Sequence, residues 1–202
     1  MPQVSVRDCR GEDHDWIQSV YRDYLMDLAP SATGLFPMLP EIGQRATEQL
    51  ARLPTGQGAY VLTVCYAEAR VGFARITARE PAAGAAASTA PPAAPAPPPR
   101  APQPGPGSAG ASGAPAASSG EFSMAEFFIA RPWRRRGIGA QAVRLILDRF
   151  QGAWLITEHL RNEAAVRFWR QVVSAYTGGR YQERIVNGEV QQRFASGRRR
   201  ER

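Results

Sequence analysis

The chain has 202 residues, of which 44% are hydrophobic, and this length and composition suit one packed domain with an appendage. Its formal net charge of +7 favours an anionic ligand and permits contact with nucleic acid. No apolar run approaches the roughly 18 residues that a membrane span requires. Two cysteines and two histidines indicate neither a disulfide framework nor a metal site.

The first residues show no charged leader followed by an apolar block, so we expect a cytoplasmic protein rather than a secreted one. In that reducing compartment, Cys9 and Cys65 are expected to be small buried side chains rather than disulfide partners.

The first predicted elements are a strand over residues 3–9 and a helix that Asp13 or Asp15 can cap. A loop rich in Pro and Gly follows over residues 30–40, and a second helix is predicted over about 41–53. The apolar residues of the first helix recur at helical spacing and form one broad buried face: Trp16, Ile17, Val20, Tyr21, Tyr24, Leu25 and Leu28.

Two strands over residues 60–66 and 71–77 predict a hairpin through residues 68–70. The segment 81–120 then consists almost wholly of Ala, Pro, Gly and Ser. We expect it to be a disordered, low-complexity insertion, because it cannot bury enough apolar surface to offset its ordering entropy. A proline-rich docking motif is the alternative. Residues 1–197 would then form a single domain across this insertion, with a basic tail at 198–202.

The most informative stretch is Ala125 to Ala140, which predicts a strand, a basic loop and the start of a helix. Aromatic and β-branched residues at 127–129 suit a strand, and Pro132 should end it. The helix is predicted from about Gly137 to Phe150, with Gly152 as its carboxyl-terminal stop.

This basic loop suits an anionic ligand. The first N–H groups of a helix lack intrahelical partners, and the helix dipole places partial positive charge there. Gly137 and Gly139 let a phosphate approach the backbone, while Arg134, Arg135 and Arg136 add charge and donors. The alternative is an ordinary strand–helix connection with a solvated basic run.

Two phosphate-binding motifs compete for this loop. Residues 137–142 satisfy the dinucleotide pattern G-x-G-x-x-A, and Glu158 lies near the position of a ribose-binding acid. Residues 131–136 separate the strand from the first glycine, however, and the chain after Glu158 is too short for further βα units. A Walker loop is excluded because no Lys-Ser or Lys-Thr follows the glycines.

The carboxyl-terminal part predicts a strand over residues 153–157 and a helix over about 162–173. Asn187-Gly188 is a strong hairpin signal between residues 180–186 and 189–194, after a turn at Gly178-Gly179. The edge of the sheet should therefore be antiparallel. The helix carries a core stripe of Ala165, Phe168, Trp169 and Val172.

The sequence resembles the GNAT N-acetyltransferase superfamily in two motifs. Arg134 to Gly139 matches [QR]-x-x-G-x-[GA], and Asn162 to Trp169 resembles N-x-x-A-x-x-F-Y, with Trp169 where Tyr is usual. Their order and spacing together are more specific than either match alone. The resemblance implies an α/β (α+β) fold: a mixed, mostly antiparallel sheet of about six to seven strands flanked by about four helices.

The resemblance also implies acetyl transfer from acetyl-CoA to a primary amine by direct attack, without a metal. Backbone amides at 135–140 would hold the pyrophosphate, strand residues 127–129 would polarise the thioester carbonyl, and Asn162 would contact the cofactor arm. The other role of Asn162 is to cap the helix that follows it, and the two roles are compatible. The implied cofactor-binding residues are Phe128, Ile129, Arg134, Arg135, Arg136, Gly137, Ile138, Gly139, Ala140, Asn162 and Trp169.

The sequence offers more than one residue for each proton transfer. Glu126 on the strand is a candidate general base, with a structural ion pair as its alternative role, and Glu158 is a second candidate. The usual acid position holds Trp169, whose N–H is a poor acid, so Tyr176, Tyr181 or solvent would protonate the thiolate.

The acceptor would be a small-molecule amine or a protein amine, and the protein a monomer or homodimer. Two other functions fit the sequence. One is a non-catalytic acyl-CoA-binding or regulatory domain of the same fold. The other is a nucleic-acid-associated factor that uses the Arg198–Arg202 tail.

Overall fold

The computed structural model describes residues 3–28, 58–79 and 121–197. The predicted loop at 30–40, the helix at 41–53, the insertion at 81–120 and the tail at 198–202 lie outside the described residues. The strands are β1 Val4–Asp8, β2 Ala59–Tyr66, β3 Ala69–Arg79, β4 Glu121–Ile129, β5 Gly152–His159, β6 Gln182–Val186 and β7 Glu189–Ser196. The α-helices are α1 Gly11–Leu28, α2 Ile138–Arg149 and α3 Glu163–Thr177.

The seven strands form one sheet in the order β1-β2-β3-β4-β5-β7-β6. Among the described strands β4 and β5 are parallel neighbours, and α2 supplies the crossover that parallel pairing requires. All other neighbours are antiparallel, which confirms the predicted mixed, mostly antiparallel sheet. β3 and β4 lie side by side, with Arg79 opposite Glu121, so the described strands before and after the insertion share this sheet.

Both predicted hairpins are present. β2 and β3 join through a two-residue turn at Ala67-Glu68 rather than through the predicted residues 68–70, because β3 already begins at Ala69. β6 and β7 join through Asn187 and Gly188, which both have positive φ, at 52° and 80°. This conformation is the one that an Asn-Gly turn favours, because it matches the twist of the flanking strands.

The sheet lies between α1 on one face and α2 with α3 on the other. Phe73 and Phe128 pack against Ile17 and Tyr21 of α1. The residues that alternate with them, including Phe127, contribute to the clusters beneath α2 and α3. This alternation confirms that Phe127 and Phe128 face opposite sides of β4.

Three helix boundaries differ from the prediction, and one of them is the end of α3, which continues to Thr177 rather than stopping at about residue 173. α1 begins at Gly11, so Asp13 lies inside its first turn, where the carboxylate accepts a hydrogen bond from the Arg10 N–H at 2.8 Å. α2 ends at Arg149, and Gly152 instead opens β5. Phe150, which is 8% exposed, is the carboxyl-terminal cap residue of α2 in place of a glycine.

Candidate active site

The strands β4 and β5 diverge toward their carboxyl ends. Their parallel register holds for three pairs, the last of which is Ser123 with Leu155. Beyond that pair, β4 stays on β3 as far as Ile129, and β5 stays on β7 as far as His159. The sheet therefore opens between β4 and β5, where backbone groups that a neighbouring strand would pair can meet a ligand.

A β-bulge starts this divergence. Arg75 lies opposite Glu126, and Ile76 lies opposite Met124, so the intervening Ala125 has no partner on β3. A bulge bends its strand and increases the local twist. The bend carries the end of β4 away from β5.

Strand alternation determines which backbone groups of β4 face the opening. The Ala130 N–H donates to the Val71 carbonyl at 2.8 Å, on the β3 side. The backbone groups of Phe128 point to β3 as well, and those of Phe127 and Ile129 point to the opening. The structure thus corrects the prediction for Phe128, whose backbone pairs with β3 and whose ring is buried against α1.

The glycine loop follows β4 directly, after a single 3₁₀ turn at Arg131–Trp133. Arg135 and Gly137 both adopt the left-handed conformation, with φ of 62° and 76°. Gly137 is the amino-terminal cap residue of α2, and no side chain caps that end. Left-handed residues on either side of Arg136 form the type of backbone concavity that binds anions.

The two glycines of the loop are required for different physical reasons. A Cβ on Gly137 would meet only the Gln141 Nε2 atom, at 3.8 Å, so Gly137 is needed for its left-handed backbone rather than for space. A Cβ on Gly139 would lie 3.4 Å from the Phe168 ring and 3.6 Å from Ile129. Gly139 therefore lets the start of α2 pack closely on α3 and β4.

The three predicted arginines of the loop separate in the structure. Arg135 and Arg136 are exposed at the turn, and the Arg136 guanidinium lies 5.4 Å from the Trp133 ring centre. Arg134 points back along β4, where its Nε donates to the Ile129 carbonyl at 2.6 Å. Its Nη2 donates to Asp27 of α1. The Arg134 guanidinium is thus engaged within the protein.

Asn162 caps α3 at the end of the segment that follows β5. Its Oδ1 accepts from the Ala165 N–H at 3.3 Å, and its Nδ2 donates to Glu158 at 3.2 Å. The predicted capping role of Asn162 is confirmed. The Asn162 amide thereby also holds the Glu158 carboxylate at the open end of β5.

The two candidate bases have different surroundings. Glu126 accepts hydrogen bonds on Oε1 from the Tyr21 hydroxyl and from Arg75 Nη2, both at 3.1 Å, while its Oε2 is buried without a partner among the described residues. Glu158 is half-buried, and burial raises its pKa despite hydrogen bonds from the His159 N–H and Asn162. The ion pair of Glu126 is confirmed, and Glu158 lacks a comparable cation among the contacts that the structure describes.

Tyr24 of α1 lies close to both carboxylates. Burial raises the pKa of the Tyr24 phenol, and the charges of Glu126 and Glu158 raise it further. Strands β4 and β5 thus bring two carboxylates near two tyrosines of α1, and Arg75 is the cation that pairs with Glu126.

Residues 20–172 match the family described as the Acetyltransferase (GNAT) family. The chain belongs to the GNAT acetyltransferase family. An acetyltransferase of this family from Streptococcus agalactiae shares 9% identity with it at a TM-score of 0.60, over 97% of this chain and 96% of the other. No curated protein sequence matches the chain.

Two further GNAT structures resemble the chain over nearly their whole length. PaiA N-acetyltransferase from Thermoplasma acidophilum, in complex with coenzyme A, has 9% identity and a TM-score of 0.56 over 96% of this chain and 99% of its own. NAA60 from Arabidopsis thaliana, in complex with acetyl-CoA, has 8% identity and a TM-score of 0.54 over 96% and 98%. At such identities the likeness shows the shared GNAT fold.

In this GNAT chain, Trp169 packs beside the open strand β4. The residue is 5% exposed and packs edge-on against Phe127, with ring centres 5.5 Å apart. Phe168 stacks on Phe127 at 5.8 Å and lies 5.1 Å from Trp169, so the three rings form one cluster. Phe127 thus packs the open strand against α3. At the position of Trp169, a GNAT enzyme usually carries a tyrosine hydroxyl.

Tyr176 is far from the opening, which corrects its assignment as the acid. Its hydroxyl donates to Asp148 at 2.9 Å, at the carboxyl end of α2. That end lies about 15 Å along the helix from the glycine loop, at about 1.5 Å per residue. Burial and the Asp148 hydrogen bond raise the pKa of Tyr176 to about 12. A depression of about 360 Å³ beside Tyr176 and Arg180 is equally remote.

Several residues that shape this GNAT site were not predicted from the sequence. A Cβ on Gly72 would overlap the Phe128 carbonyl oxygen, so glycine is required where β3 passes the end of β4. A glycine inside a predicted strand was the available signal. Asp27, Tyr21 and Arg75 gave no comparable signal, since their partners lie about 50 to 107 positions away in the sequence.

Proposed function

We propose that this protein is an N-acetyltransferase that transfers the acetyl group of acetyl-CoA to a primary amine of a small molecule or a protein. The observation that carries this proposal is the opening of β4 from β5 immediately before an uncapped glycine loop. An open strand edge suits the amides of the cofactor arm, and free loop amides suit its diphosphate. The complexes of PaiA with coenzyme A and of NAA60 with acetyl-CoA support the same ligand.

The chain's own groups suit successive parts of acetyl-CoA. The amides of residues 135–140 and the exposed Arg135 and Arg136 would hold the diphosphate. The N–H groups of Phe127 and Ile129 face the opening and would polarise the thioester carbonyl. The Trp169 ring would lie against the cofactor arm, and the second amide hydrogen of Asn162 would donate to that arm.

In the reaction the amine nitrogen attacks the thioester carbon, a C–N bond forms, and the C–S bond breaks as the thiolate leaves. The nitrogen must also release a proton. We assign that proton to Glu158, because burial raises the pKa of its carboxylate and its two described hydrogen-bond donors are neutral groups. Glu126 is already paired with Arg75, and its unpartnered Oε2 could accept a hydrogen bond from the incoming amine.

Thiolate release needs no protein acid in this proposal. Trp169 has no acidic hydroxyl and Tyr176 lies at the other end of α2, so solvent would protonate the departing thiolate. Trp169 is also the observation that favours the second candidate function, a non-catalytic acyl-CoA-binding domain. That domain would bind coenzyme A and release no thiol from acetyl-CoA with any amine.

The cofactor assignment is tested by titrating coenzyme A into the wild type and into Gly137→Glu. The variant places a bulky anion among the loop amides, so we expect it to lose binding. Gly179→Glu is the matched control, because Gly179 is also left-handed, with φ of 79°, and has open space around its Cβ position. It imposes a similar backbone strain at the far end of α3, and we expect it to bind as the wild type does.

Absence of coenzyme A binding by the wild type, or retained binding by Gly137→Glu, would overturn this assignment. Catalysis is then tested by incubating acetyl-CoA with a library of amines and measuring thiol release. Release with at least one amine supports the transferase. Binding without release from any amine favours the non-catalytic domain.

A further inference from the structure

Asp27 lies in the last turn of α1, where a negative charge opposes the helix dipole. Two arginines that are more than a hundred positions away in the sequence neutralise this negative charge. Arg131 Nη2 donates to its Oδ1 at 2.8 Å, and Arg134 Nη2 donates to its Oδ2. Burial would raise the pKa of Asp27, but these hydrogen bonds outweigh it and lower the pKa overall.

Arg134 links Asp27 to the open strand. Its Nε donates to the Ile129 carbonyl, and its guanidinium lies 5.2 Å from the centre of the Phe128 ring. Ile129 is the last residue of β4, and its backbone faces the opening. One side chain therefore connects the end of α1, the edge of β4 and the loop that leads to Gly137.

We infer that Asp27 is a positioning residue for the cofactor site, acting through Arg134 to fix the end of β4 and the glycine loop. The inference rests on the proposed function. Its physical basis is that the groups offered to the cofactor are backbone amides, so their affinity depends on where the loop is held. When groups in such a site are misplaced by about 1 Å, the reaction rate can fall by about a hundredfold.

Charge alone predicts the opposite result. Asp27 neutralises Arg134, so if Arg134 acted on the diphosphate as a free charge, removal of Asp27 would strengthen cofactor binding. If Asp27 positions Arg134, the same removal weakens binding. The sign of the change therefore separates the two mechanisms.

The test measures the Kd for coenzyme A, the KM for acetyl-CoA and the melting temperature of Asp27→Asn, Asp27→Glu, Arg134→Gln and the double variant. We expect Asp27→Asn and Arg134→Gln each to weaken coenzyme A binding about tenfold. The double variant should be no weaker than the worse single variant, because the two residues act as a unit. Asp27→Glu should recover most of the affinity.

Asp23→Asn is the matched control, since Asp23 is an exposed acid one turn earlier on α1. It should bind coenzyme A as the wild type does. Unchanged or tighter binding by Asp27→Asn, or a lower melting temperature with unchanged Kd, would overturn the inference. A wild type that binds no coenzyme A would overturn the proposed function as well, whereas binding that is insensitive to Asp27 overturns only the inference.

Discussion

Two carboxylates, one near the β1 edge of the sheet and one at the open end of β5, differ in how their surroundings set their affinity for a proton. Asp13 is fully buried, and it accepts from Arg7 Nη2 at 2.8 Å, Arg70 Nε at 2.7 Å and the Arg10 N–H at 2.8 Å. The Arg7 hydrogen bond is the largest cause that holds the Asp13 pKa well below its usual range. These interactions keep Asp13 charged and make its role structural.

Glu158 is desolvated without such cations, and burial shifts its pKa in the opposite direction. Its two described hydrogen-bond donors are neutral groups, the His159 N–H and the Asn162 amide. An acid surrounded by guanidinium groups holds elements together, while an acid that is desolvated beside an opening keeps its affinity for a proton. The comparison predicts that the two residues fail differently when they are changed.

The largest expected effect is on turnover. Glu158→Gln should lower kcat by about 10²- to 10⁴-fold, because the amide retains the shape of the side chain but cannot accept a proton. Steady-state kinetics with an identified amine would measure it, and Glu163→Gln, on the exposed first turn of α3, is the matched control. Turnover by Glu158→Gln at the wild-type rate would show that this carboxylate is not the base.

Asp13→Asn should act on stability instead. Removing the carboxylate charge leaves Arg7 and Arg70 without their buried partner, and such a loss costs about 3 kcal/mol. Urea unfolding would measure the free energy of unfolding, with the exposed Asp15→Asn as control. Once folded, the Asp13 variant should bind coenzyme A normally. A large loss of affinity without a loss of stability would contradict the comparison.

The pH dependence of stability should have opposite signs at the two sites. The folded-state pKa of Asp13 is lowered, so its contribution is present above the roughly pH 4 of an unfolded Asp and is lost as pH falls. The folded-state pKa of Glu158 is raised, so its contribution is present below the unfolded pKa and is lost as pH rises through the folded pKa. Glu158→Gln should therefore be at least as stable as the wild type at neutral pH, which unfolding curves at several pH values would check.

The smallest effect is expected at Trp169, which neither holds nor exchanges a proton in this proposal. Trp169→Phe keeps an aromatic wall against Phe127, so kcat should change by less than about threefold. The assay is the same steady-state measurement. A loss of a hundredfold or more would assign the indole N–H a direct part in the reaction.

Local patterns predicted much of the fold and part of the site. Asn187-Gly188 specified its own turn, the strand at 127–129 alternated as expected, and the two glycines stand where α2 begins. These features depend on near neighbours in the sequence. Their physical causes are backbone conformation and side-chain period, both of which can be read directly.

The remaining site residues depend on contacts between distant elements. The side chain of Arg134 was expected at the phosphate and instead joins Asp27, 107 positions away. Tyr176 lies on the expected helix, but helical spacing alone does not reveal that its hydroxyl meets Asp148 at the far end of α2. Which carboxylate is paired with a cation likewise followed only from the register that places Arg75 opposite Glu126.

The pairing of Arg79 with Glu121 places the chain's exit from β3 and its return to β4 on one rung of the ladder. A two-residue hairpin turn spans such a gap, so a gene shortened to join these positions through Asn-Gly should encode the same sheet. The rung lies at the end of β4 away from the opening. Reporter peptides or affinity tags grafted there should leave coenzyme A binding unchanged, which makes this junction a suitable site for immobilising the protein.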